Sequence, residues 1–360
     1  MRSLTWDQVD ARRLEASQLA TRAPGGDLLD VVRATCGVHA QLTTGAELAL
    51  SARVEGVTRG AVRELLWEHR VLAKGSTLRG TLHLHPADEL ALWKSLHGVR
   101  DRWRERSWLD WQGLTLAEAE SLREQVLAVL DDGEPRTREE IGAAVGGALG
   151  EHLATDSWGH FLAPASGELC HGPPRGRMVT FVRCDRWLDG WEPPAPEAAL
   201  REVCRRFFAT YGPAQRSDLE HWLAMRVPDD VLDGLEEVDV EGHPALALPG
   251  TVFPQAAEPP GVRLLAHYDV YVIGAHPREH LIPEQRERIF LRGAGPNPAL
   301  LVAGRVAGVW ARKERGKRLE IRVEPFRRLS PPQRRELAAD AERVASTYGA
   351  EPDLQLVSKL

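Results

Sequence analysis

Two polar side chains of complementary chemistry stand two residues apart near the start of the chain, His39 and Gln41, with Ala40 between them. A histidine titrates near neutrality and can take a proton from water. A glutamine side chain offers a carbonyl acceptor and two N–H donors that can hold that water in place. The pair cooperates only if both side chains point the same way. Residues two apart share a face in an extended segment, whereas on a helix they lie about 200° apart. The residues before the pair decide between these. Residues 27–36 have a helical pattern, and Gly37 stands where a helix commonly ends with a residue at positive φ. The spacing therefore predicts an extended stretch that puts His39 and Gln41 on one face and turns Val38, Ala40 and Leu42 into the body.

Other constellations are open to two readings each. His83 and His85, two apart on a predicted strand, are either a metal pair lacking an indicated third ligand or an ordinary strand face. His267-Tyr268-Asp269 is either a relay triplet or the polar end of a strand. Residues 312–318 carry five cations, Arg312, Lys313, Arg315, Lys317 and Arg318, against one carboxylate, Glu314. Such a tip is either solvated or made to grip phosphates. Arg201, Arg205 and Arg206 form a second basic face, and Arg100, Arg102, Arg104 and Arg106 a third. No G-x-S-x-G, H-E-x-x-H or P-loop pattern is present, which removes the usual support for a serine hydrolase, a zincin or an NTPase.

The elements that must carry these residues come from patterning. The 360 residues, 43% apolar and 27% charged, have room for two to four modest domains. Residues 1–113 read as helices around the His39 stretch followed by a strand–turn–strand at 72–85. Residues 114–195 hold capping boxes at Thr115–Glu118 and Thr137–Glu140, a further helix from Trp158, then a hairpin with a Gly-Pro-Pro-Arg-Gly tip. Three helices followed by a hairpin is the winged-helix pattern. Residues 196–260 repeat it and end in a Pro-rich linker at 249–260. Residues 261–360 form a strand-rich region whose strand units include 264–274 and two hairpins at 298–323, closed by a helix from Pro331 to about Tyr348. The fold class is α+β, with winged-helix units in tandem. The net charge of −6 means that any contact with nucleic acid comes from local basic patches. Four scattered cysteines without C-x-x-C spacing argue against a zinc site and a disulfide framework. With no apolar signal core and no run that could span a bilayer, the chain is expected in the cytoplasm, at the nucleoid.

Four stretches carry a family likeness: Val38-His39-Ala40-Gln41, Arg79-Gly80-Thr81-Leu82-His83-Leu84, residues 265–274 and residues 298–310. Together, and in this order, the chain resembles the winged-helix bacterial DNA glycosylases that include AlkZ and its YcaQ relatives. The resemblance implies a C-shaped assembly of winged-helix units around a DNA channel, and excision of alkylated purines, in some members with unhooking of interstrand cross-links. The family's catalytic motif is Gln-apolar-Gln, or Gln-apolar-Asp in one branch. Its second position falls on Gln41 and its first on His39, where this sequence departs from the main pattern.

The chemistry follows from the substrate this implies. N7-alkylguanine and N3-alkyladenine are cationic and leave readily, so strong acid catalysis is not needed. What remains is to place a water at C1′ of an oxocarbenium-like sugar. His39 would orient and partly deprotonate that water, and Gln41 would fix it or touch the sugar. With no lysine in the His39 stretch to form a Schiff base, the expected enzyme is monofunctional. No metal or organic cofactor is implied. The expected partner is double-stranded DNA bearing alkylated purines, bound by a monomer with no membrane contact, through Arg79 and the 312–318 cations. The alternative is a non-catalytic winged-helix DNA-binding protein or transcriptional regulator.

Overall fold

The computed structural model describes residues 2–156, 160–254, 261–291 and 296–359. The chain forms two compact units, Met1–Val62 with Val203–Leu360, and Arg63–Glu202. Trp158, the expected helix start, and residues 255–260 of the Pro-rich span lie outside the described residues.

The first unit is built from both ends of the chain. Its main sheet has five strands, adjacent in chain order: Val262–Leu264, Ala299–Val302, Arg305–Arg315, Arg318–Pro325 and Glu351–Leu356. The first four pair antiparallel and the last joins parallel. A parallel neighbour needs a crossover, and the helix Pro331–Thr347 supplies it. Ser330 caps that helix, Gln333 completes the capping box, and proline occupies the first turn. Within the helix Asp340 accepts the Leu264 N–H at 2.6 Å, and Arg343 donates to Ser51 Oγ at 2.8 Å. Leu14, Leu19, Tyr271, Val272, Leu281, Ile289, Leu301 and Val309 share one buried core with this sheet. A smaller sheet pairs Arg2–Leu4 in parallel with Glu236–Val240, which pairs antiparallel with His243–Ala247.

One expectation fails here. Residues 264–274 read as a strand unit, but the strand stops at Leu264 and Val270–Gly274 is a helix. The Asp269 side chain caps it by accepting the Tyr271 N–H at 2.9 Å. A short run of buried apolar residues looks alike as strand or helix, and here the cap decides. Gly274 is required by packing, since a Cβ there would lie 2.3 Å from the Tyr211 ring.

In the second unit the helix Leu116–Val129 is followed by the short strand Arg136–Thr137, the helices Arg138–Val145 and Gly147–Thr155, and the hairpin Leu169–Arg175 with Met178–Arg183. The short strand pairs with Met178–Arg183, so the sheet order is first, third, second. This is the connectivity of a winged helix. Both predicted capping boxes form, on Thr115 and Thr137. Leu122, Val126, Leu130, Ile141, Leu153, Phe161 and Leu169 fill the core between helices and hairpin. A separate hairpin, Leu72–Ser76 with Leu82–Pro86, carries His83 and His85. Both are buried and share the Thr77 hydroxyl at 3.2 and 3.1 Å, and His85 stacks on Trp93. The strand-face reading accounts for them, and among the described residues no cluster of three or more metal-ligating side chains occurs.

The helices Arg138–Val145 and Gly147–Thr155 meet through two glycines, with a Cβ at Gly150 placed 2.2 Å from the Gly142 carbonyl oxygen. Neither backbone can yield without moving its helix. Gly150→Ala is therefore expected to destabilise the protein by about 1–3 kcal/mol. Urea denaturation reads this as a lowered midpoint, and an unchanged midpoint would show that the helices are not so closely seated.

Candidate catalytic site

The His39 segment is launched by two consecutive residues at positive φ. The helix Leu28–Ala34 ends, and Cys36 (φ 60°) and Gly37 (φ 88°) turn the chain out of it. Gly37 N–H returns to the Val32 carbonyl at 2.9 Å, six residues closing the turn as in a Schellman motif. The chain then runs extended through Val38–His39, with Val38 and Ala40 fully buried as expected. The extended run is shorter than predicted. The chain bends at Gln41 and Leu42 and enters the helix Thr43–Ser51, which leaves Leu42 54% exposed instead of buried. His39 is buried and Gln41 exposed. The Gln41 backbone N–H faces His39 Nδ1 at 3.5 Å, at the long limit of a hydrogen bond.

The His39 imidazole lies flat on the Tyr268 ring, 4.4 Å between centroids with 11° between planes. His267 meets the same tyrosine edge-on at 4.3 Å. Tyr268 has φ 59°, a left-handed conformation unusual for an aromatic residue, and it sits in a turn closed by the Asp269 N–H on the Ala266 carbonyl. The turn is held by a buried ion pair. Arg53 grips both Asp269 carboxylate oxygens, at 2.8 and 2.7 Å, and also donates to the Ala49 carbonyl. Arg53 lies just past Ala52, the C-cap of the helix Thr43–Ser51, and at that helix's other end a Cβ on Gly45 would stand 3.4 Å from the His267 carbonyl. The helix that begins just after Gln41 thus lies along the turn that carries Tyr268.

The hairpin divides into a root and a tip. Trp310 donates from its indole to the Leu265 carbonyl at 2.8 Å. Arg312 lies over the Trp310 and Tyr348 rings and donates to the Tyr348 hydroxyl, so it belongs to the root. Arg59 covers Tyr348 as well and pairs with Glu47 and Glu314. Partial burial, and then the charge of Arg312, hold the His267 imidazole below its ordinary pKa; burial pushes the Tyr348 hydroxyl up. At the tip Arg315 faces Glu320 at 3.3 Å, Arg318 faces Glu351 at 4.0 Å, and Lys313 and Lys317 are exposed. Exposed pairs of this kind contribute little, so phosphate can replace their carboxylates. Arg79 belongs to the second unit, on the turn Leu78–Gly80 at φ 56°. In that unit three of the four arginines of the predicted basic face, Arg100, Arg104 and Arg106, are matched by Glu105, Glu120 and Asp110.

The relay-triplet and strand-end readings of His267-Tyr268-Asp269 both give way to a different division of labour. Asp269 is a helix cap and an ion-pair partner, and Tyr268 is the platform for His39. Adjacent polar and aromatic residues were the available signal. Nothing local in the sequence links either to Arg53 or His39.

A mixed α/β scaffold with a winged-helix unit and an exposed basic hairpin has the parts of a protein that contacts DNA. The profile of the DNA glycosylase AlkZ-like family matches residues 32–347, a span that includes His39, Gln41, Tyr268 and the basic hairpin. A relative from Streptomyces sahachiroi, named an interstrand DNA cross-link repair glycosylase, is 31% identical over 345 residues, covering 89% of this chain and 91% of its own. The solved structure of the Streptomyces sahachiroi DNA glycosylase AlkZ shares the fold with a TM-score of 0.86 at 29% identity, covering 99% of this chain and 100% of that one. The chain belongs to the AlkZ-like family of DNA glycosylases. Among the described residues no helix is long and apolar enough to cross a membrane.

Two outcomes follow from the geometry. Tyr268→Phe keeps the stacked ring and is expected to release damaged base at close to the parent rate. Tyr268→Ala removes the stacked ring and, if His39 acts in catalysis, lowers kcat about 10–100-fold with little change in KM for DNA, as misplaced catalytic groups do. Equal rates for the two variants would deny Tyr268 a positioning role. Asp269→Ala strands the buried Arg53 charge and should destabilise the protein by about 3–5 kcal/mol in urea or thermal unfolding. A loss below 1 kcal/mol, on the order of an exposed pair, would contradict the burial.

Proposed function

We propose that this protein hydrolyses the N-glycosidic bond of N7-alkylguanine and N3-alkyladenine in double-stranded DNA, including bulky and interstrand cross-linked adducts, as a monofunctional glycosylase working as a monomer at the bacterial nucleoid. The observation that carries this reading is the His39 ring held flat on Tyr268 with Gln41 exposed beside it. The name of the Streptomyces sahachiroi relative supports the cross-link part.

The cationic base needs little help to leave, so the protein's task is to deliver water to C1′ as positive charge builds on the sugar. The Gln41 backbone N–H meets His39 Nδ1 at the long limit of a hydrogen bond, a weak contact that a water can displace. That nitrogen then takes the water's proton as the C–O bond forms and the C–N bond to the base breaks. Tyr268 restricts the imidazole to one plane, so the base arrives already oriented. The exposed Gln41 amide donates to the water or to the sugar. No lysine is required, because water and not an amine attacks the sugar, and the product is an intact abasic strand. The exposed lysines and tip arginines of the 312–318 hairpin bind phosphates, and Arg79 does so from the second unit.

Release of 7-methylguanine from methylated duplex DNA tests the assignment. His39→Ala and Gln41→Ala should each lower it, the histidine variant by about 10²–10⁴-fold, the range of general-base catalysis. His39→Gln should fall between parent and alanine, because an amide holds water without taking its proton. Normal release by the double alanine variant would sink the proposal. On a duplex cross-linked by a nitrogen mustard, the parent should separate the strands in a denaturing gel and leave abasic sites that break only on heating in alkali. Strand cleavage without alkali, with enzyme trapped on DNA by borohydride, would overturn the monofunctional reading.

A further inference from the structure

In the winged helix of the second unit, Gly147–Thr155 occupies the position of the recognition helix, between Arg138–Val145 and the hairpin. Its nine residues contain no lysine or arginine and one carboxylate, Glu151. Gly150 is pressed against Gly142, Leu153 is buried in the core, and His152 stacks on Phe161 at 4.2 Å. A helix so composed has nothing to neutralise phosphate charge.

The hairpin tip has the opposite character. Residues 174–179, Pro-Arg-Gly-Arg-Met-Val, are all exposed, with Met178 at 50% and Val179 at 47%. They carry two cations and no carboxylate. Arg175 is tied back to Glu140 and to the Pro135 carbonyl, which stiffens the tip. Gly176 at φ 63° makes the turn, with Arg175 and Met178 paired across it. Thr180 fixes the Pro173 carbonyl at 2.9 Å. Arg177 makes no ion pair or hydrogen bond among the described residues. A stiff tip that offers one unengaged arginine beside methionine and proline matches the pattern by which proteins enter the minor groove: a cation for the backbone and groove, and apolar side chains against the sugars.

We propose that residues 174–179 are a DNA contact of this winged helix, made by the wing while the helix Gly147–Thr155 makes none. Arg177 meets the phosphate backbone at the minor groove and Met178 packs on its sugar walls. The inference rests on DNA being the ligand, as the family establishes, and not on the assignment of His39.

The test is binding of full-length protein to an undamaged duplex by fluorescence anisotropy over a salt series. Arg177→Gln should weaken binding about 3–10-fold and lower the slope of log K against log salt by roughly 0.9, the loss of one phosphate contact. Met178→Ser should weaken binding with the slope unchanged. Arg226→Gln, at an exposed arginine paired with Glu220, should bind as the parent does. All three positions are exposed, and unchanged urea midpoints will show that the variants fold. Parent affinity and slope in both wing variants would overturn the proposal. Binding to an undamaged duplex involves no base excision, so failure of the catalytic assignment would show in base release and leave this assay's outcome unchanged.

Discussion

The buried ion pair between Arg53 and Asp269 is the interaction from which the site's geometry follows. Both side chains are fully removed from solvent. Burial works against the guanidinium's charge, and the carboxylate more than restores it, so Arg53 is held above its ordinary pKa. Such pairs add little net stability over apolar residues of equal size, because desolvation offsets the attraction. Breaking one is costly, because it leaves the other charge buried and unpaired. Here the pair joins the end of the helix Thr43–Ser51 to the turn before Val270–Gly274, and that turn is where Tyr268 adopts its left-handed backbone. The strained tyrosine persists because Asp269 is held on three sides, by two bonds from Arg53 and one from Tyr271 N–H.

The candidate site pairs a buried residue with an exposed one. His39 is buried and stacked, while Gln41, two residues on, stands at the bend where the chain leaves its extended run. The basic hairpin has the same division. Arg312 is spent on Trp310 and Tyr348 at its root, whereas Lys313, Arg315, Lys317 and Arg318 near its end are exposed, two of them beside carboxylates. An acidic protein can thus meet a polyanion, because over a Debye length of about 8 Å only nearby charges matter and exposed pairs exchange partners cheaply.

What was legible in the sequence was what local rules govern. Gly37 ends a helix because a left-handed residue must follow it, although Cys36 unexpectedly shares that conformation. Thr115 and Thr137 cap helices because a hydroxyl three residues before an acid satisfies free N–H groups. The hairpins at 169–183 and 305–325 follow from alternation around a glycine turn. Single strands that pair in parallel, Arg2–Leu4 and Glu351–Leu356, carry no turn signal and were missed. The apolar stretch 270–274 was ambiguous until Asp269 was seen to cap it. At the site, the residue types His39 and Gln41 were readable. Their platform was not, because Tyr268 and Arg53 meet their partners more than two hundred residues away along the chain.

That separation has a physical consequence. His39 and Tyr268 come from opposite ends of the chain, and Arg63–Glu202 lies between the two segments of their unit. Closing so long a loop through disordered chain has a conformational cost that grows with the logarithm of its length. Arg63–Glu202 instead folds on cores of its own, one around Leu122, Ile141 and Phe161 and another around Leu90, Cys170 and Val182. Much of the loop's entropy is therefore lost in making that unit's internal contacts, and those contacts offset it. The stacked pair then forms only when the discontinuous unit has assembled, so neither flanking segment alone holds the His39 ring in one plane. For an enzyme that cuts bases from DNA, this ties the catalytic geometry to a complete fold.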